Sequence, residues 1–332
     1  MAHGTQDFSI RSAGLLLSYW CSARCAHCYE LSGPGRPGWM DLQDARSHLA
    51  ALARLGADWS EVHVGGGEPF GNYDLLLATV RAAPGAGLAG LGYVETNAFW
   101  ATDEAVVRTR LVELRDAGLG QISISADPFH QAFVDPACVT RLWEAARAAL
   151  GERRVRGRRW RYVKAPVDLR SADQAALQSA YRAALSEFPE RLTGRAAREL
   201  ADMLPRQPTA AFADLNCQES LARSGHVHID LHGHVFPGTC VGLILGRATV
   251  ATPLDAVLAA ARRPARMGGQ VWRTLTERGP CGLAALAAER GYQLDARGYA
   301  DKCHLCYSVR MFLFQHGHFV EELGPREVYE ET

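Results

Sequence analysis

Lysine is nearly missing from this chain of 332 residues: of its 36 basic side chains only Lys164 and Lys302 are lysines. Together with abundant alanine, this is the bias of a GC-rich genome rather than a physical demand. Net charge is missing as well, since 36 acidic side chains balance the basic ones, and this argues against a general nucleic-acid binder. No run of 18 apolar residues occurs, which excludes a spanning helix. The N-terminus lacks a basic segment, a long apolar stretch and a small-residue cleavage site. The apolar Ala13–Tyr19 is too short for an export signal, so a cytoplasmic protein without a membrane partner is expected.

What is present is an ordinary globular composition. Hydrophobic residues make up 48% of the chain, enough for a large buried core. The length suits two domains, or one α/β barrel with an appendage, and excludes a small disulfide-stapled scaffold or a disordered chain. Nine cysteines stand at 21, 25, 28, 138, 217, 240, 281, 303 and 306. Clustered cysteines in a chain too long to need disulfides point to metal or catalysis.

Short apolar segments alternate with helical patterns. Strands are expected at Gly14–Trp20, Glu61–Gly65, Leu91–Thr96 and Gln121–Ala126, with weaker ones at Trp160–Ala165 and Arg191–Gly194. Asp41 is placed to cap a helix whose face carries Leu42, Ala45, Leu49 and Leu52, ended by Gly56. Further helices are expected near Tyr73–Ala83, Asp103–Ala117 and Pro136–Leu150, and one more presents Leu177, Tyr181, Leu185 and Phe188. Such alternation predicts a parallel sheet, here a partial (β/α)6 barrel, with reactive residues on the loops after the strands. Pro189, Pro205 and Pro208 then break the pattern, and cysteine, glycine and histidine concentrate. The expected organisation is a core over 1–205 and a small cysteine-rich domain over 206–332.

Cys21, Cys25 and Cys28 lie on one loop directly after the first strand, spaced Cys-x3-Cys-x2-Cys. Thiolates are soft ligands for zinc, copper or iron–sulfur clusters. Three rather than four nearby thiols leave a coordination position open, the mark of a catalytic metal rather than a structural one. A zinc loop or three reduced thiols is the plainer reading of the triplet alone.

The triplet resembles the cluster-binding loop of the radical S-adenosylmethionine (SAM) superfamily. Other segments resemble that family too, over roughly residues 13–200. Gly66-Gly67-Glu68-Pro69 ends the second strand and is similar to the family's GGEP motif. Asn97 ends the third, in a segment like the family's TNG, although Ala98 stands where Gly is usual. Ser125 and Asp127 follow the fourth. The resemblance implies a [4Fe–4S] cluster on Cys21, Cys25 and Cys28, with SAM chelating the open iron. It also implies His27 near the adenine, Gly66, Gly67, Glu68 and Pro69 around the SAM amino group, and Asn97, Ser125 and Asp127 as further SAM contacts. The physical demand is clear: glycine lets backbone approach a ligand, and an ammonium needs acceptors. An inward Arg195 would suit a carboxylate, including that of SAM. Asp127 and His130 are candidate catalytic groups, His130 as a proton shuttle.

A second cysteine set follows. Cys303-x2-Cys306 lets two thiolates reach one metal, and Cys217 and Cys240 complete a four-thiolate set. This region resembles the SPASM/twitch appendages of radical SAM enzymes, which bind auxiliary iron–sulfur clusters. Five cysteines after residue 205 favour the shorter, one-cluster form, and six residues rather than four separate Gly233 from Cys240. An auxiliary [4Fe–4S] cluster is therefore expected, with a four-cysteine zinc knot as the structural alternative. Cys281 is the odd one, as a hydrogen-atom donor, free thiol or substitute ligand. Cys138 is expected to pack as a small hydrophobe. His226, His228, Asp230 and His232 alternate with apolar residues as a half-buried strand does. The arginine run from 153 to 161 reads as a solvated loop and strand rather than an acidic-substrate steer.

By resemblance, the chain is an enzyme that cleaves SAM to a 5′-deoxyadenosyl radical and removes a hydrogen atom from its substrate. A ribosomally made peptide or protein side chain is the first expectation, and a small molecule of cofactor biosynthesis the second. No cobalamin-binding domain is apparent. Roughly a dozen residues precede the first strand, so a peptide-recognition protein would be separate. The electron would come from a donor such as flavodoxin or ferredoxin. A zinc-stabilised binding protein that does not cleave SAM is the reading of another class.

Overall fold

A computed structural model describes residues 10–261 and 269–331. Two compact units divide the chain: one comprises Ser12–Cys25 and Ser32–Pro189, the other Ala26–Leu31 and Glu190 onward, with residues 10–11.

The first unit alternates strand and helix: β1 (Ser12–Leu16), α1 (Leu42–Arg54), β2 (Val62–Gly65), α2 (Tyr73–Gly85), β3 (Leu91–Thr96), α3 (Glu104–Asp116), β4 (Leu119–Ser125), the single turn α4 (Pro128–Gln131), α5 (Pro136–Leu150), β5 (Val155–Arg158), the short α6 (Trp160–Lys164) and α7 (Gln174–Glu187). Aspartates open four of the five long helices, and Asn72 opens α2. Asp41, Asp103, Asp135 and Asp173 each accept a backbone N–H of the first turn at 2.7–2.9 Å, a cap worth about 1 kcal/mol apiece. As the periodicity predicts, α1 buries Ala45, Leu49 and Leu52.

The five strands pair in parallel and in chain order, β1 to β5. Sequential order with right-handed crossovers places the connecting helices on one face. Register explains which face. Leu15, Val64, Val94, Ile122 and Val155 stand in one row across the sheet, all buried. The alternate positions are polar: Glu95, Ser123 and Arg156 form one row, Ser125 and Arg158 the next. One face thus packs the core and the other is built for polar chemistry.

Two expected strands are not strands. Trp160–Ala165 is α6 and its end, and the fifth strand is the preceding Val155–Arg158. Arg159 breaks it with a left-handed backbone (φ 60°). Arg191–Gly194 forms no strand among the described residues; Thr193 N donates to Arg191 O at 2.9 Å in a tight turn.

The second unit is less regular. Its elements are α8 (Arg195–Glu199), α9 (Gln218–Leu221), β6 (His226–Ile229), β7 (His234–Pro237), β8 (Gly246–Arg247), α10 (Leu254–Ala261), α11 (Gln270–Ala288), α12 (Lys302–Gln315) and α13 (Arg326–Tyr329). The three strands form an antiparallel meander. Asp230, fully buried, closes its first turn by accepting from His232 N and His234 N at 2.9 and 2.8 Å and pairing with His234 Nδ1 at 3.0 Å. Helices α11 and α12 pack together, α11 kinking at Gly279.

Candidate functional site

The loop after β1 is bound back onto the sheet. Leu17 N donates to Gly65 O (3.1 Å), Cys21 N to Gly33 O (3.1 Å), and Glu68 N to Trp20 O (2.8 Å). The last contact requires glycine beside it. Gly67 has φ +53°, and a Cβ there would sit 1.9 Å from Trp20 O; on Gly66 (φ +77°) it would meet Leu16 Cα at 2.5 Å. These glycines let the ends of β1 and β2 touch, a reason independent of any ligand.

Glu68 is buried and ties three strand-end groups together. Its carboxylate accepts from Thr96 Oγ1 at 2.9 Å, Asn97 N at 2.7 Å and Phe70 N at 3.2 Å. Burial nevertheless outweighs these donors and pushes its pKa up to about 7. Pro69 starts the helical turn that follows, and Phe70 stacks on Trp100 at 4.1 Å. Asn97, so anchored, turns its side chain to the cysteine loop: Nδ2 donates to Cys21 Sγ at 3.6 Å and Ser22 Oγ at 3.2 Å. Ala23 N also donates to Cys21 Sγ, at 3.4 Å. Two donors on one buried sulfur suit a thiolate. Ala98 adopts φ +70°, the conformation that favours glycine, which explains why the TNG resemblance expects Gly there.

Asp127 caps α4, accepting from Phe129 N and His130 N at 3.1 and 3.2 Å. It also meets His130 Nδ1 at 2.8 Å and Arg159 Nη1 at 3.2 Å. Asp127 and His130 are thus brought together with Arg159, which the sequence reading left in a solvated run but whose side chain is buried against Asp127. Ser125 ends β4 on the polar face. Cys138 is buried in α5 as expected. Cys25 is buried in this unit.

His27 and Cys28 belong to the other unit, where Arg195 N donates to Cys28 O at 2.9 Å. Arg195 is fully buried, and its Nε donates to Glu331 Oε1 at 2.9 Å. Cys217, Cys240, Cys303 and Cys306 line one cavity of about 30 Å³ with Arg191, Lys302 and Arg310. Cys303 and Cys306 sit in the first turns of α12, whose N-cap Asp301 accepts from His304 N at 2.6 Å. Burial is the main cause that raises Cys217, Cys303 and Cys306, Cys217 up to about 12, and neighbouring sulfurs add to it. Among the described residues, the triads of ligand atoms within 4.8 Å of one another include none of these four cysteines. Cys281 lies apart, its Sγ donating to Thr209 O at 3.3 Å.

Residues 15–159 match the model of the Radical SAM superfamily. That stretch, β1 to the end of β5, is thus similar to a radical SAM domain. Members of this superfamily are enzymes, and the superfamily implies SAM and a [4Fe–4S] cluster. A GTP 3′,8-cyclase of Synechococcus elongatus is 30% identical over 149 residues, 43% of this chain and 42% of that protein. The chain thus aligns with less than half of that curated relative. Among solved structures, BtrN in complex with AdoMet and 2-DOIA is 12% identical with a TM-score of 0.42, covering 82% of this chain and 89% of that one. Native anSMEcpe with bound AdoMet and Cp18Cys peptide is 13% identical with a TM-score of 0.44, covering 92% and 97%. No helix among the described residues is long and apolar enough to cross a membrane.

Proposed function

We propose that this radical SAM enzyme cleaves SAM reductively and takes a hydrogen atom from a peptide or protein side chain, with an auxiliary cluster in its C-terminal unit. The observation that carries the SAM site is Asn97, held by Glu68 and donating to Cys21 Sγ. Cys21, Cys25 and Cys28 would hold a [4Fe–4S] cluster, which when bound with SAM supplies the electron that releases methionine and a 5′-deoxyadenosyl radical.

The chain's own groups do the rest. Trp20, Gly66 and Gly67 close the loop on the sheet and set the cysteines. His27, Pro69, Ser125 and Arg195 complete the SAM contacts in this reading. Asp127 orients His130 through Nδ1, and His130 is the proton shuttle in this reading. The polar sheet face of a partial barrel receives substrate, with Arg156 and Arg158 offering a match to an acidic group.

The twitch-like reading of the C-terminal unit rests on the four-thiol cavity. A four-cysteine zinc knot is the structural alternative, and a metal count separates the two. A second reading, a small molecule of cofactor biosynthesis, is favoured by the GTP 3′,8-cyclase relative. A flavodoxin or ferredoxin donor, a separate peptide-recognition protein and a cytoplasmic location complete the proposal.

The test is anaerobic reconstitution of the wild type and the Cys21/Cys25/Cys28→Ala variant, with iron counted and 5′-deoxyadenosine assayed. About eight irons in the wild type, about four in the variant, and nucleoside from the wild type alone are expected for two four-iron clusters. Bound zinc, no iron and no nucleoside would overturn the radical reading and leave a zinc-stabilised binding protein.

A further inference from the structure

Arg310 is 2% exposed. A buried guanidinium costs several kcal/mol unless an anion offsets it. Its Nη1 donates to Val241 O and to Tyr329 Oη, both at 3.1 Å. Neither partner is an anion: the Tyr329 hydroxyl donates onward to Gly242 O at 2.7 Å, and burial keeps it protonated. Among the described residues no carboxylate pairs with Arg310; what acts on it, besides Tyr329, are the sulfurs of Cys306 and Cys240. It lines the four-thiol cavity. On α12 it follows Cys306 by four residues and Cys303 by seven, so all three share one helix face.

A buried cation without a carboxylate, set among four thiols, is a countercharge awaiting thiolates. Four thiolates around a four-iron core make a dianion that becomes a trianion on one-electron reduction. A fixed positive charge beside it favours the more negative state. We propose that Arg310 is the buried counter-ion of the auxiliary cluster and raises its reduction potential; the inference rests on the two-cluster reading above. Arg191 and Lys302 also line the cavity, but Arg191 is exposed and donates to Thr239 Oγ1 and, at 3.8 Å, to Cys240 Sγ, while Lys302 donates to Asn216 O at 2.9 Å. Solvent and salt screen an exposed charge far more than a buried one.

The experiment uses the full chain carrying Cys21/Cys25/Cys28→Ala, so that only the C-terminal site reports. Iron, sulfide and zinc are measured first, then the midpoint potential by a redox titration followed by electron paramagnetic resonance. Arg310→Gln is expected to lower the potential, Arg310→Lys to leave it near the parent value, and Arg191→Gln to move it less and only at low salt. Equal potentials in the parent and Arg310→Gln overturn the proposal. If Arg310→Gln does not retain iron, Arg310→Lys decides: iron and potential kept support the charge, and iron lost overturns it. Zinc without iron in the parent overturns the two-cluster reading itself, before any Arg310 variant is made.

Discussion

Glu68 shows how one side chain can tie the end of one strand to the turn after its neighbour. Its two oxygens accept from groups of β3's end and of its own turn, and Asn97 reaches Cys21 only because its backbone is held in this way. Glu68→Gln keeps the size but turns an amide N–H₂ toward one of these donors. A loss of about 1–3 kcal/mol in stability is expected from urea unfolding of the apo protein. The pH dependence has a definite sign. The folded chain holds the Glu68 proton to about pH 7, against the ordinary 4.5. Stability linked to this group is fully present below pH 4.5 and lost as pH rises toward 7. Glu68→Gln should lack that decline, and parallel curves for the two proteins would refute the assignment. Gly67→Ala meets Trp20 O at 1.9 Å in a left-handed backbone. It should cost at least about 2 kcal/mol, read from the same unfolding midpoint.

Among the elements, the parallel strands and capped helices were legible because each carries its own signal. Aspartates precede the helices, and Leu91–Thr96 and Pro136–Leu150 fall where the pattern puts them. β5 was not legible, since Val-Arg-Gly-Arg has one apolar side chain for the core row and arginines for the polar face. The apolar signal therefore shifted onto Trp160–Ala165, which Arg159 turns into a helix. The site divides in the same way. Cysteine spacing and the GGEP segment are contiguous and readable, whereas Arg159 and Arg310 gain meaning only through folding. The one signal for Arg310 was its helical spacing from Cys303 and Cys306. Helix α11 holds another such contact: Glu322, distant in sequence, accepts from Gln270 N, Val271 N and Trp272 N at 2.7, 2.8 and 3.4 Å. Glu322→Ala orphans that first turn and should cost about 1–2 kcal/mol, seen as a lower urea midpoint with an unchanged slope.

Across the whole molecule the two units draw stability from different sources. The strand–helix unit has a row of buried apolar side chains running through five paired strands. In the C-terminal unit the strands are two to four residues long. Four thiols from three segments converge there on one cavity, beside a buried arginine that no carboxylate among the described residues neutralises. Without metal Cys217, Cys303 and Cys306 stay protonated, because burial raises them, and the arginine keeps its desolvation cost. Metal removal should therefore loosen one unit and spare the other. In the Cys21/Cys25/Cys28→Ala chain, which keeps only the C-terminal site, anaerobic chelation is expected to split thermal unfolding into two transitions. The lower one should fall by an amount equivalent to at least about 3 kcal/mol, while the upper one stays in place. Limited proteolysis of the stripped chain should cut first beyond residue 190. First cuts within 32–189, or a single transition shifted as a whole, would show that the metal stabilises the molecule as one cooperative body.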